Sequence, residues 1–226
     1  MANPTIVCDS SSLISLSETC NLGSLEFLKK ECNARFLVPP EVKNEVFVRP
    51  VRIPKYEFSA LRLNNQLEHG VLEESRPTGI EALTRQVLEL SNSAFSFRGR
   101  KLQLVQRGEA ECVALCIALK ADGVLVDEKT MRLFIESPST LLQRMGGEYE
   151  GGINIDKGTL ATLGKLTQGI FCLRSSELLG IAAAKGFFRQ FGAHERQAYV
   201  ASLTALRNSG CGITTDEIAE LAAAKN

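Results

Sequence analysis

Short apolar runs alternate with longer amphipathic stretches from the first residues onward. Thr5–Cys8 is apolar and β-branched, and Asp9-Ser10-Ser11-Ser12 follows at once. This predicts a buried strand ending in helix N-cap chemistry, with Leu13, Ile14 and Leu16 beginning a helix. Arg35–Val38 reads as a second strand; Pro39-Pro40 ends it, and Pro40 suits the first turn of a helix from Glu41 to Val46. Gly79–Ser91 places Ile80, Leu83, Val87 and Leu90 on one helical side. Gly108 opens a helix over Glu109–Ala121, Asp122-Gly123 turns the chain, and Val124–Val126 forms a strand that ends at Asp127-Glu128. A helix through Met131, Leu133 and Phe134 follows. Further helices are predicted at Lys157–Leu166, Ser175–Lys185, His194–Asn208 and from Thr215, with a strand at Ile170–Leu173. Between Phe47 and Leu104, Arg49-Pro50, Ile53-Pro54 and Arg76-Pro77 interrupt regularity, and Phe95–Gly99 reads as loop. The Gly146-Gly147 and Gly151-Gly152 stretch reads as a flexible loop or a small hairpin.

This alternation predicts an α/β fold of three layers, α/β/α, around a central and mostly parallel sheet. Ligands of such sheets sit outside the carboxyl ends of the strands. Two of the three clearest strands end there in an acid, Asp9 and Asp127.

Composition narrows the choices. The 226 residues are 44% hydrophobic and 23% charged, enough for a sizeable core. Basic and acidic side chains balance at 26 each, so contact with a polyanion requires a local basic patch rather than a global field. The seven cysteines contain no CxxC pair and read as reduced core thiols of a cytoplasmic protein. No basic run precedes the first apolar segment, and no stretch approaches the ~18 apolar residues of a membrane helix.

Each acid has an ordinary reading. Asp9 suits an N-cap, Glu41 and Glu109 suit the positive end of a helix dipole, and Asp127-Glu128 suits a turn with Lys129 as surface partner. Glu45 and Glu111 are explained less well, because apolar residues flank them. Converging carboxylates repel and raise one another's pKa, so a cluster calls for a cation. Mg²⁺ or Mn²⁺ suits such oxygen donors. Zinc does not, since only His69 and His194 are present and neither has ligand spacing to a cysteine.

Taken in order, IVCDSSSLISL, VPPEVKNEV, GEAECVALCIAL and GVLVDEKTMR resemble the acidic motifs of the PIN-domain nucleases. The likeness covers roughly residues 5–48 and 105–135, with a looser echo in GIFCLRSSELLGIAAAKG. It implies a PIN-like domain over 1–188, interrupted at about 48–104 and 137–168, and a helical extension over 189–226. It further implies metal-dependent hydrolysis of RNA phosphodiester bonds by Asp9, Glu45, Glu111 and Asp127. Glu128 competes with Asp127 as a ligand, and Glu109 with Glu111. Ser11 would orient Asp9. Arg98, Arg100, Lys101 and Arg107 form one candidate RNA-binding segment, and Arg49, Arg52 and Lys55 a second. Tyr56, Phe95 and Phe97 are candidates for base stacking, set against core or loop packing. A non-cleaving scaffold for RNA or protein is the alternative. The resemblance leaves open an inhibitory protein partner of the toxin–antitoxin kind and a homodimer. A nucleotide-binding domain is disfavoured, because no GxxxxGK[ST] or GxGxxG loop follows a strand.

Overall fold

A computed structural model of the protein describes residues 3–148 and 152–223. In chain order the elements begin with β1 (Thr5–Cys8), α1 (Ser10–Glu18), α2 (Gly23–Cys32), β2 (Arg35–Val38) and α3 (Pro40–Lys43). Helix α3 runs on into a π-helical turn (Asn44–Val48), then a 3₁₀ turn (Pro50–Arg52). Next come α4 (Pro54–Glu68), β3 (Leu72–Glu74), α5 (Ile80–Ser93), β4 (Phe95–Phe97), β5 (Arg100–Lys101) and α6 (Arg107–Leu119). They are followed by β6 (Gly123–Leu125), α7 (Lys129–Glu136), α8 (Pro138–Glu148), β7 (Asn154–Ile155), α9 (Lys157–Leu166) and β8 (Phe171–Leu173). The chain closes with α10 (Ser175–Lys185), a 3₁₀ segment (Phe187–His194), α11 (Glu195–Asn208) and α12 (Thr215–Ala223).

The main sheet has five strands in the order β3-β2-β1-β6-β8. Every pairing in it is parallel. Parallel strands buried on both faces must be apolar throughout; Val7, Cys8, Leu37, Val38, Val124 and Leu125 meet that demand, all fully buried. The chain leaves β1 toward β2 and β3, then returns to β6 and β8 on the other side of β1. Right-handed crossovers therefore put α1 and α2 on one face and α6 and α7 on the other. Helix α6 packs on β1 and β6, while α10 lies against α1 and α2. Strand order reverses between β1 and β6, and a crevice opens at the carboxyl end of such a switch point. The residues beyond these two strands are Asp9 and, one past Val126, Asp127.

Several elements differ from the pattern reading, each for a physical reason. Pro54 does not break regularity; it occupies the first turn of α4, where its missing N–H costs nothing. Edge strand β3 reads Leu-Glu-Glu, which no apolar alternation signals. Ion pairs hold its acids: Glu73 accepts from Lys29 at 2.9 Å and Arg35 at 2.7 Å, and Glu74 from Lys43 at 2.6 Å. A charged edge also discourages pairing with foreign strands. Phe95–Phe97, expected as loop, is the middle strand of a second sheet of three antiparallel strands, β5-β4-β7. Phe95 is fully buried there and meets Phe134 edge-on, ring centroids 5.4 Å apart. The glycine-rich stretch divides: α8 continues to Glu148, β7 supplies a hairpin edge, and 149–151 lie outside the described residues.

Arg174, just before α10, fastens the last helix. Its guanidinium pairs with Glu177 and Glu217, each at 2.9 Å, and donates to the Gly212 carbonyl at 3.0 Å. Arg174→Ala is expected to cost about 2 kcal/mol, since charge-assisted bonds from a mostly buried arginine are lost at once. Amide exchange in α12 should accelerate more than in the central strands, and uniform acceleration would show that the helix is held by other means.

Candidate metal centre at the carboxyl edge of the sheet

Asp9 is the N-cap of α1 and is nearly fully buried. Its Oδ2 accepts from the Ser11 amide at 3.0 Å and the Ser11 hydroxyl at 2.6 Å. The same hydroxyl accepts from the Asp127 amide at 3.1 Å. Ser11 thus ties the ends of β1 and β6 together and fixes one oxygen of Asp9, while Oδ1 lies 4.0 Å from Cys112 Sγ. Burial raises the Asp9 pKa against these hydrogen bonds, and the charge of Glu128 adds to the rise.

Glu45 is carried by the π-helical turn, closed by the Arg49 amide on the Asn44 carbonyl at 3.0 Å. Such turns insert a residue into a helix and re-aim the side chains after it. The expected regular helix through Val46 therefore stops at Lys43, and the Glu45 carboxylate lies against the start of α6. A methyl group at Gly108 would come within 2.8 Å of Glu45 Oε1. Burial raises the Glu45 pKa, with Asp9 and Glu41 adding to the rise and a Ser10 hydrogen bond and the charge of Arg49 opposing it. Glu109 sits one residue beyond Gly108 and accepts from the Gln106 amide at 2.6 Å, closing the helix N-terminus. Burial pushes its pKa to about 8, and the charges of Asp9, Glu128 and Glu45 contribute.

Four carboxylates from four chain segments thus feel one another: Asp9, Glu45, Glu109 and Glu128. Glu128 also caps α7 by accepting from the Met131 amide at 2.7 Å. Among the described residues, no lysine or arginine forms an ion pair with any of the four.

The other two expected ligands have hydrogen-bond partners of their own. Both Asp127 oxygens are taken by Ser175, Oδ1 by its amide at 2.8 Å and Oδ2 by its hydroxyl at 2.7 Å. The Asp127 carboxylate thus pins the start of α10. Glu111 is buried and accepts from the Glu41 amide at 2.7 Å, satisfying the exposed N-terminus of α3. Of the candidates, Glu109 and Glu128 are the ones whose charges act on Asp9 or are acted on by it and Glu45, while Glu111 and Asp127 have the hydrogen-bond partners just named. Local sequence offers no means of choosing within G-E-x-E or D-E, because neighbours in a helix or at a strand end point to different sides.

As the side chains stand, no three histidine, cysteine, aspartate or glutamate groups among the described residues are close enough to hold a metal ion. In donor type, though not in spacing, the four carboxylates suit a hard divalent cation; three have raised pKa values, and no cationic side chain among the described residues forms an ion pair with them. Of the expected RNA contacts, Arg98, Arg100 and Lys101 lie on the β4–β5 hairpin, with Arg98 over the Phe97 ring and Lys101 bonded to Ser93. Arg107 pairs with Glu81 at the start of α6.

Folded Glu109 retains a proton that the unfolded chain releases above its ordinary value of 4.5, up to about 8. The folded state binds more protons across that window, so stability falls as pH rises through it. Melting in chelator should show Tm declining from about pH 5 to pH 8, with Glu109→Gln, which keeps the cap, giving a shallower decline. A flat profile for the unaltered chain would contradict the raised pKa. Gly108→Ala should leave stability unchanged within about 1 kcal/mol, because alanine favours a helix, but it displaces the Glu45 carboxylate. Mn²⁺ affinity measured by calorimetry should fall about tenfold, as happens when a ligand's support is disturbed; unchanged affinity would show that Glu45 is not a ligand.

A three-layer parallel α/β domain with a buried aspartate and three half-buried glutamates near its topological switch point is the class these observations define. The model of the PIN-domain family matches residues 5–138, more than half of the chain, and the chain belongs to that family. No curated protein and no solved structure matches it. PIN domains are in general nucleases. Among the described residues, no helix is long and apolar enough to cross a membrane.

Proposed function

We propose that the protein is a metal-dependent endoribonuclease in which Asp9, Glu45, Glu109 and Glu128 hold Mg²⁺ or Mn²⁺. The observation that supports this most is the mutual electrostatic coupling of these carboxylates at the strand-order reversal, where among the described residues no base forms an ion pair with them, although the charge of Arg49 reaches Glu45. When bound, such an ion activates water and stabilises charge on phosphoryl oxygens. The protein's own contributions are positional. Ser11 holds Asp9 by two hydrogen bonds, Gly108 leaves room for Glu45, and the Gln106 amide steadies Glu109. The Arg98–Lys101 hairpin supplies positive charge for phosphates.

Cleavage of an end-labelled single-stranded RNA, with Mn²⁺ and with chelator, is the direct test. Cutting that persists undiminished in chelator would remove the metal from the reading. A second reading, a PIN-fold scaffold that binds RNA or a protein without cutting, is favoured by the spacing of the acids, which do not converge on ligating distance. Tight RNA binding with no cleavage at any Mn²⁺ concentration would select it.

A further inference from the structure

Glu41, Glu45 and Arg49 follow one another at four-residue intervals through α3 and the π-helical turn. In a regular helix a glutamate four positions before an arginine is its natural partner, and Glu45 would hold Arg49. The π-helical turn spoils that match. Its wider closure, the Arg49 amide on the Asn44 carbonyl at 3.0 Å, shifts Arg49 relative to Glu45. The guanidinium pairs instead with Glu41, eight positions back, Nη2 to Oε1 at 3.0 Å. Among the described residues Glu45 is left without an ion pair.

Arg49 nonetheless stays within electrostatic reach of the centre. Together with Glu45 and Glu18 it supplies the charged lining of a mainly apolar hollow of about 460 Å³, walled by Ile14, Ile53 and Leu63. Glu18 accepts from the Ser209 hydroxyl at 3.4 Å. Apolar walls focus the field between charges that share such a space. Among the charges that weigh most on Asp9, Glu45 and Glu109, Arg49 is the one positive charge; it draws the Glu45 pKa down while Asp9 and Glu41 push it up. The Arg49 side chain is 66% exposed and that of Glu41 20%. Glu41 is therefore the fixed end of the pair, and the long exposed arginine changes partner at little cost.

We propose that Arg49 is the resident counter-charge of the acidic centre, held on Glu41 and lining the same hollow as Glu45, and that a divalent cation enters the centre against its repulsion. An empty centre attracts the guanidinium, and a filled one drives it back onto Glu41. The arginine thus sets the metal concentration at which the centre fills. The inference rests on the metal-dependent reading, but its test uses metal alone.

Mn²⁺ binding is measured by the loss of the free ion's electron spin resonance signal, at low ionic strength and without RNA. Arg49→Met keeps the aliphatic stem and the amide that closes the π-helical turn, and at this exposed site it should melt with the parent. It should bind Mn²⁺ about three- to tenfold more tightly, the scale of removing one unit charge several ångströms from a divalent ion near a protein surface. Arg49→Lys keeps the charge and should bind like the parent. The gain from methionine should shrink at about 0.5 M salt, which screens exposed charges over a few ångströms. Glu41→Gln releases the guanidinium toward Glu45, so it should weaken Mn²⁺ binding more by itself than in combination with Arg49→Met. Unchanged affinity in Arg49→Met overturns the inference. Weaker binding also overturns it, and would show that the Arg49–Glu41 pair braces the turn carrying Glu45. A parent that binds Mn²⁺ with this pattern but leaves RNA uncut upholds the inference and selects the non-cutting reading. A parent that binds no Mn²⁺ removes both the inference and the metal chemistry.

Discussion

Asp9→Asn is expected to lower Mn²⁺-dependent RNA cleavage by at least about 10²–10³-fold, the scale on which removing one preorganised charge slows a reaction. The protein should stay folded. Asparagine keeps an oxygen for the Ser11 amide and hydroxyl, so the contacts that close α1 survive. What disappears is a negative charge that burial and Glu128 both disfavour. Metal-free Tm should therefore rise or hold while activity collapses. Glu128→Gln should behave alike, and Glu109→Gln also, because glutamine can still serve the Gln106 amide. A variant that loses its charge but cuts RNA at the parent rate would remove that residue from the proposed centre.

Asp127→Ala should do the reverse. Both oxygens of this buried carboxylate are bound by Ser175, so truncation leaves an amide and a hydroxyl without partners at the start of α10. Leaving buried groups unmatched in a charge-assisted pair costs about 3 kcal/mol, which in a chain of this size lowers Tm by roughly 6–12 °C. Cleavage per folded molecule, measured below the new transition, should fall far less than for Asp9→Asn. Chemical denaturation with the unaltered chain in parallel checks both halves. A stable but inactive Asp127 variant would return that residue to the centre and displace Glu128.

Much of the architecture was legible because buried parallel strands have no choice of composition. Ile6-Val7-Cys8, Phe36-Leu37-Val38 and Val124-Leu125 are apolar on both faces, and Asp9 and Pro40 mark the helices after them. Strand β3 escaped because its two glutamates are tolerated by long-range ion pairs, information that no local window contains. Helix α4 was hidden by the prolines around it, one of which begins it. In the candidate centre, Asp9 and Glu45 were legible from their places after a strand and in a proline-led helix. The partners of Glu111 and Asp127 were not, because the amides of Glu41 and Ser175 that bind them come from segments far along the chain. The π-helical turn that aims Glu45 likewise leaves no mark in a hydrophobic pattern.

The glycine at 108 has a bearing on anyone wishing to harden this protein. Swapping helical glycines for alanine is a standard route to greater heat resistance, and by propensity alone this position invites it. Here the missing side chain is the berth of a carboxylate. A library selected only for thermal endurance would accept the swap and displace that carboxylate unnoticed.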